Sequence, residues 1–203
     1  MKKLFTTKNL VLMAIFAALA AVLMLLEFPL PFIAPSFYEI DLSEIPVLIG
    51  SFIMGPVAGV IMEAVKILLK LLIKGTSTAY VGDFANFVIG CCLVVPASVI
   101  YKKYKTKKGA FIGMLVGTVV MAVAGTIMNY FVLIPFYVKA YGMPLDAIIG
   151  MGAKINSLIS NKWTFVLVCV APFNIVKGVI DSLITALVYK RISTFIKGIG
   201  NKK

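Results

Sequence analysis

The chain contains no histidine and only eight acidic residues among 203. Without histidine, the commonest proton shuttle and metal ligand is missing. The three cysteines, Cys91, Cys92 and Cys169, sit in apolar runs without CxxC spacing. Neither a metal site nor a disulfide framework is expected from them. There is no Gly-rich GxxxxGK segment ending in Ser or Thr to cradle a phosphate, no GxSxG, and no paired catalytic carboxylates. An enzyme is therefore not expected, and any step driven by ATP requires another subunit. Charge of either sign is scarce: 14% of residues are charged, against about 25% in soluble domains.

Apolar side chains fill the space that charge leaves. The chain is 61% hydrophobic with a mean hydropathy of +1.04, and crossing a bilayer takes about twenty such residues in a row. The runs predict an all-α, polytopic membrane protein forming one domain over 1–203, with six transmembrane helices at about 9–28, 44–55, 56–74, 81–101, 109–137 and 163–189. Lys2, Lys3 and Ala18-Leu19-Ala20 resemble a signal peptide, but the run continues past Ala20 and is read as the first span. Gly55-Pro56 marks a tight turn between the second and third. Residues 138–162 mix lysines with Ile148, Ile149, Ile155 and Leu158, which predicts an amphipathic stretch at the surface.

The net charge of +12 is unevenly divided. Lys2, Lys3 and Lys8 precede the first span, five lysines fill 102–108, and Lys190, Arg191, Lys197, Lys202 and Lys203 form the tail. No acid accompanies them, so the positive-inside rule places both termini in the cytoplasm and explains the basicity without a nucleic-acid partner. The partner implied is the lipid bilayer. The opposite side carries most of the acids, including Glu27, Glu39, Asp41 and Glu44 in a proline-rich stretch at 27–46.

Five charges remain within the spans: Glu63, Lys66, Lys70, Lys177 and Asp181. Each costs roughly 2.5–3.5 kcal/mol or more at bilayer depth, so a partner or a function is expected. Glu63 and Lys66 share a helix face and are read as a pair, while Lys70 and Lys74 are expected to reach outward to the interface. Asn174, Lys177 and Asp181 fall on one face of the last span, and Asn129 lies at similar depth on the fifth. Lys177 and Asp181 alternatively neutralise each other. Two amides and an ammonium match a planar ring edge bearing carbonyls and an amide or imide. Phe84, Phe87, Phe131 and Phe173 are candidates for covering such a ring. On the first span, Ala14, Ala17, Ala18 and Ala21 form overlapping AxxxA pairs, a pattern that permits close helix packing in lipid.

Asp41-Leu42-Ser43-Glu44-Ile45-Pro46, then Gly55-Pro56-Val57-Ala58-Gly59, Gly82-Asp83-Phe84-Ala85-Asn86-Phe87 and Pro172-Phe173-Asn174-Ile175-Val176-Lys177-Gly178 follow one another in an order and spacing that resembles the riboflavin-specific substrate-binding (S) components of energy-coupling factor (ECF) transporters. The similarity covers roughly residues 8–195. It implies a riboflavin-binding subunit of an ATP-driven uptake transporter in the plasma membrane. The same resemblance implies a separate module of one transmembrane coupling protein and two ATP-binding subunits. No catalytic cofactor is implied; riboflavin is the transported substrate, and flavin mononucleotide (FMN) stays open. Carried over by motif, the flavin contacts would be Leu42, Ala79, Gly82, Asn86, Asn129, Asn174 and Lys177. The coupling protein would meet Ala14, Ala18 and Ala21. An S component for another vitamin, or a membrane protein outside transport, are the alternatives.

Overall fold

The computed structural model describes the backbone of residues 4–200 and the side chains of residues 4–189. Lys2, Lys3, Lys202 and Lys203 lie outside the described residues, as do the side chains of Lys190, Arg191 and Lys197. Among the described residues, seven helices form the frame: α1 (Thr7–Met24), α2 (Glu44–Met54), α3 (Pro56–Lys74), α4 (Val81–Tyr104), α5 (Lys107–Ala140), a short α6 (Leu145–Ala153) and α7 (162–200). The helix starts carry recognisable caps. Thr6 and Thr106 accept the backbone N–H groups of Asn9 and Gly109 at 3.3 and 3.0 Å, and Asn161 with Thr164 forms a reciprocal capping box at the start of α7.

Gly55 and Pro56 divide α2 from α3 as their sequence predicts. Gly55 takes φ 97°, a backbone state that only glycine adopts cheaply, and Pro56 begins α3 where its missing N–H has no partner to lose. The loop from α1 to α2 is pinned by a two-residue antiparallel pairing of β1 (Phe28–Pro29) with β2 (Glu39–Ile40). Helix α1 ends at Met24, four residues short of the predicted limit, and Phe28 belongs to this pairing.

Among the described residues, four helical stretches are long and apolar enough to cross a membrane: Thr7–Met24, Val81–Tyr104, Lys107–Ala140 and Lys162–Tyr189. Helix α2, with eleven residues, is about 16 Å long, roughly half a hydrocarbon core. Helix α3 has the length but also carries Glu63, Lys66, Lys70 and Lys74. Most of residues 141–162 is exposed, as expected of a surface stretch, and only a few apolar side chains turn inward. Helix α5 continues to Ala140, and Ile148 and Ile159 turn inward to join a core with Ile40, Ile134, Phe165 and Phe173. A second core gathers Met13, Leu48, Met62, Leu93, Met114 and Met121.

Ion pairs join the helices and the loop after α1. Lys66 Nζ is 2.6 Å from Glu63 and 2.8 Å from Glu44, and these side chains are at most 2% exposed. The predicted Glu63–Lys66 pair is thus one half of a triad that also fastens α2 to α3. Lys70 does not reach outward as expected: it is buried and bonds Asp83 at the start of α4, 2.6 Å away. Lys74 pairs with Glu27, tying α3 to the loop after α1. Leaving Lys66 or Lys70 single costs about 3–5 kcal/mol, as when one partner of a buried pair is removed, whereas Lys74 is half exposed and its pair contributes less. That cost selects this arrangement over snorkelling for Lys70.

The alanine face of α1 is split. Ala17 and Ala21 are 1% exposed and pack inward, where α1 meets α2 and α3. Ala14 and Ala18 point outward, beside exposed Val11, Ile15, Leu19 and Val22. The four alanines span about 100° of the helix wheel, and one edge of that arc is already covered. Ala21 is therefore not part of a free surface, and the expected partner-docking set reduces to Ala14 and Ala18.

Candidate functional site

Two prolines shape the site. Pro135 in α5 and Pro172 in α7 cannot accept a regular helical fit, because each ring collides with the carbonyl four residues back. Both helices widen by one residue per turn just before them, over Asn129–Leu133 and Val166–Val170. Such wide turns relieve the clash and re-aim the side chains around them. Asn129 opens the first wide turn, and Asn174 lies four residues beyond the end of the second.

Both amides turn their nitrogens to their own helices. Asn129 Nδ2 donates to the Gly125 carbonyl and Asn174 Nδ2 to the Val170 carbonyl, each at 2.9 Å. Since a carbonyl can only accept, the orientation of each amide is fixed: Oδ1 is the outward-facing atom. One N–H of each amide is thus spent on its own helix, which leaves Oδ1 and the second N–H of each amide. Asn129 Oδ1 is taken by the Tyr38 hydroxyl at 2.6 Å. Lys177, one turn from Asn174 on the same face, adds an ammonium donor.

Lys177 is 5% exposed, and its ammonium bonds Asp41 Oδ2 at 2.8 Å, a partner 136 residues away. Asp41 Oδ1 accepts the backbone N–H of Ser43, also at 2.8 Å. Burial alone would raise the Asp41 carboxyl, but the ammonium groups of Lys177 and Lys66 outweigh it and hold it at about 2. The carboxylate is therefore charged at any physiological pH. The alternative pairing of Lys177 with Asp181 is not made; among the described residues both Asp181 oxygens lack a hydrogen-bond partner.

These groups line one cavity of about 180 Å³. It is lined by the polar groups of Asn129, Asn174, Lys177 and Asp41 and by the rings of Phe37, Tyr38, Tyr137 and Phe173. Toward the loops it meets Thr78, Gly82, Asp83 and Asn86. Tyr38 stacks at a tilt on Phe173, with ring centroids 5.5 Å apart. Burial pushes the Tyr38 phenol well above its usual value, so it stays a hydrogen-bond donor to Asn129. The turn before α4 is bent by positive φ at Ala79 (47°) and Tyr80 (66°), and held by Thr76, whose hydroxyl donates to Asp83 at 2.7 Å.

Five of the seven candidate ligand residues border this cavity: Gly82, Asn86, Asn129, Asn174 and Lys177. Leu42 and Ala79 do not line it; Leu42 follows Asp41 half-buried, and Ala79 sits exposed in the bent turn. Of the phenylalanines expected to cover a ring, Phe173 does line the cavity. Phe84 and Phe131 are 58% and 65% exposed and face away, and Phe87 is not part of the wall. Sequence reasoning missed Phe37, Tyr38, Asp41 and Tyr137 as lining residues. The clustering of Phe37, Tyr38 and Asp41 in one proline-rich loop was the available signal.

Apolar helices long enough to span a bilayer, enclosing one polar cavity beneath a loop, define a membrane protein that binds a small solute. Residues 8–189 match the family described as "ECF transporter, substrate-specific component". The chain belongs to that family, whose members are components of transporters and not enzymes. It is 35% identical over 192 residues to the riboflavin transporter RibU of Staphylococcus aureus (strain TCH60), covering 95% of this chain and 94% of the relative. It is 32% identical to the riboflavin transporter FmnP of Bacillus subtilis (strain 168), covering 94% of each. A solved structure titled as the S component of a bacterial ECF transporter superposes with a TM-score of 0.73 at 35% identity, covering 94% of this chain and 98% of that one.

Proposed function

We propose that this chain is the riboflavin-capturing component of an ATP-driven uptake transporter. In this reading it crosses the plasma membrane six times with both termini in the cytoplasm, and the cavity opens outward. The observation that carries the proposal is the meeting of Asn129, Asn174 and Lys177 around one cavity with aromatic walls. A flavin ring presents an imide N–H flanked by two carbonyls. The N–H donates to Asn174 Oδ1, the Lys177 ammonium donates to a ring carbonyl, and Phe37, Tyr38 and Phe173 cover the apolar body of the ring. The ribityl hydroxyls extend toward Thr78, Gly82 and Asn86. Buried polar groups of this kind reject ligands that leave them unpaired, by factors of about 10⁴ or more. The names of the two relatives support riboflavin as the solute.

Purification tests this reading. The protein isolated in detergent from cells supplied with riboflavin comes out yellow and carries a flavin absorption spectrum. A colourless protein that leaves added riboflavin free in equilibrium dialysis contradicts it.

A second expectation concerns how the Asn174 amide is seated. A Cβ added at Gly125 would lie 2.6 Å from Asn174 Nδ2 and 2.9 Å from its Cγ. Gly125→Ala therefore pushes the amide off the Val170 carbonyl and turns its acceptor away. Riboflavin affinity falls by roughly tenfold, the worth of one hydrogen bond, and a thermal melt in detergent shows the fold retained. Unchanged affinity would mean that Asn174 is not a ligand.

A further inference from the structure

Lys177 is the cation nearest the proposed ring, yet the site is not cationic. Asp41 from the α1–α2 loop sits 2.8 Å from the ammonium, with its other oxygen fixed by the Ser43 N–H. The remaining charges near Lys177 do not replace it. Glu44 of α2 is engaged by Lys66 of α3, which also holds Glu63. Asp83 of α4 is engaged by Lys70. Asp181 of α7 lies one turn further in, and α5 lines the cavity with Asn129 but no charged residue. Asp41 and Lys177 are 2% and 5% exposed, so solvent screens their field little.

Resting on the flavin reading above, we infer that Asp41 is the specificity-determining partner of Lys177: by neutralising the ammonium, it makes the cavity select the uncharged, oxidised ring over a ring that carries negative charge. A flavin that takes up two electrons and one proton is, in mildly alkaline solution, an anion whose charge spreads over the carbonyl edge. An unpaired ammonium beside that edge would favour the anion. A paired one does not, because the incoming charge must compete with the Asp41 carboxylate at the same nitrogen. Asp41 touches no ligand atom in this account; it acts through Lys177 and is a positioning residue.

The test is the reduction potential of riboflavin bound to the purified protein in detergent, titrated anaerobically at pH 8 with a reference dye. In Asp41→Asn, the affinity for the reduced anion relative to the oxidised ring rises at least tenfold, which for a two-electron couple is an upward shift of about 30 mV. The double variant Asp41→Asn, Lys177→Met loses that shift. A role confined to folding weakens both redox forms alike and leaves the potential unmoved, and an unmoved potential in Asp41→Asn overturns the inference.

Wild-type protein supplies a second arm that needs no variant to fold. It binds 8-hydroxy-8-demethylriboflavin, whose ring is anionic at neutral pH, at least tenfold more weakly than riboflavin. Equal or tighter binding of that anion also overturns the inference. If wild-type protein binds neither ring, the flavin reading itself has failed, an outcome distinct from either result.

Discussion

Replacing Lys177 with methionine lowers riboflavin affinity by at least about thirtyfold. Truncating one member of a buried, charge-assisted contact costs about 2–5 kcal/mol, and each 1.4 kcal/mol is a factor of ten. Methionine keeps most of the stem's volume, so the loss comes from the ammonium. The substitution also strands the Asp41 carboxylate, which is 2% exposed, and part of the damage therefore appears as lower stability. The double variant Lys177→Met, Asp41→Asn removes both charges and separates the two effects. Its melting temperature recovers toward wild type, while its riboflavin affinity stays low. A double variant that regained wild-type affinity would show that the ammonium does not hold the ring.

Bulk on the outward alanines of α1 has the opposite signature. Ala14→Trp with Ala18→Trp leaves riboflavin binding in detergent unchanged, because neither residue lines the cavity and both point away from the bundle. Uptake of labelled riboflavin by cells supplying the coupling protein and ATPases falls to background. Two alanines four residues apart let a partner helix approach its backbone closely, and an indole at either position holds the axes several ångströms apart. The same change at Ala17 or Ala21 destabilises the protein itself, since both are 1% exposed against α2 and α3. Normal uptake by the outward double variant would assign the coupling surface elsewhere.

The contrast between these two faces shows what could be read in advance. Hydropathy put the predicted helix starts within about two residues of those observed, because a run of twenty apolar side chains has few other homes. The last helix, however, continues to residue 200, past its expected end at 189. The Pro-Phe-Asn-x-x-Lys-Gly segment pointed to Asn174 and Lys177 because residues three apart on a helix share a face. Periodicity says nothing about what lies across from that face. Lys177 finds Asp41 136 residues away, and Lys66 finds Glu44 as well as Glu63. Charge pairs of that separation leave no local pattern. Lys70 was misread for the same reason: its position near a helix end suggested the interface, while its actual partner, Asp83, begins the next helix.

The amides hold a detail that the sequence does not carry. Each spends one N–H on a carbonyl of its own helix, which fixes Oδ1 as the atom facing outward. On Asn174 that acceptor lies one turn from the ammonium donor of Lys177, an alternation that suits an imide edge. The alanine face likewise needed the bundle: a helix wheel groups Ala14, Ala17, Ala18 and Ala21 together, and only the packing of α1 separates the inner pair from the outer one.

The central claim is that this one cavity holds riboflavin. Titrating riboflavin into the flavin-free protein in detergent, and following the quenching of flavin fluorescence, tests it most directly. The account predicts saturation at one riboflavin per chain, no displacement by excess thiamin, biotin or folate, and loss of the quenching in Lys177→Met. Absence of saturable quenching, or displacement of the flavin by one of those vitamins, would contradict it.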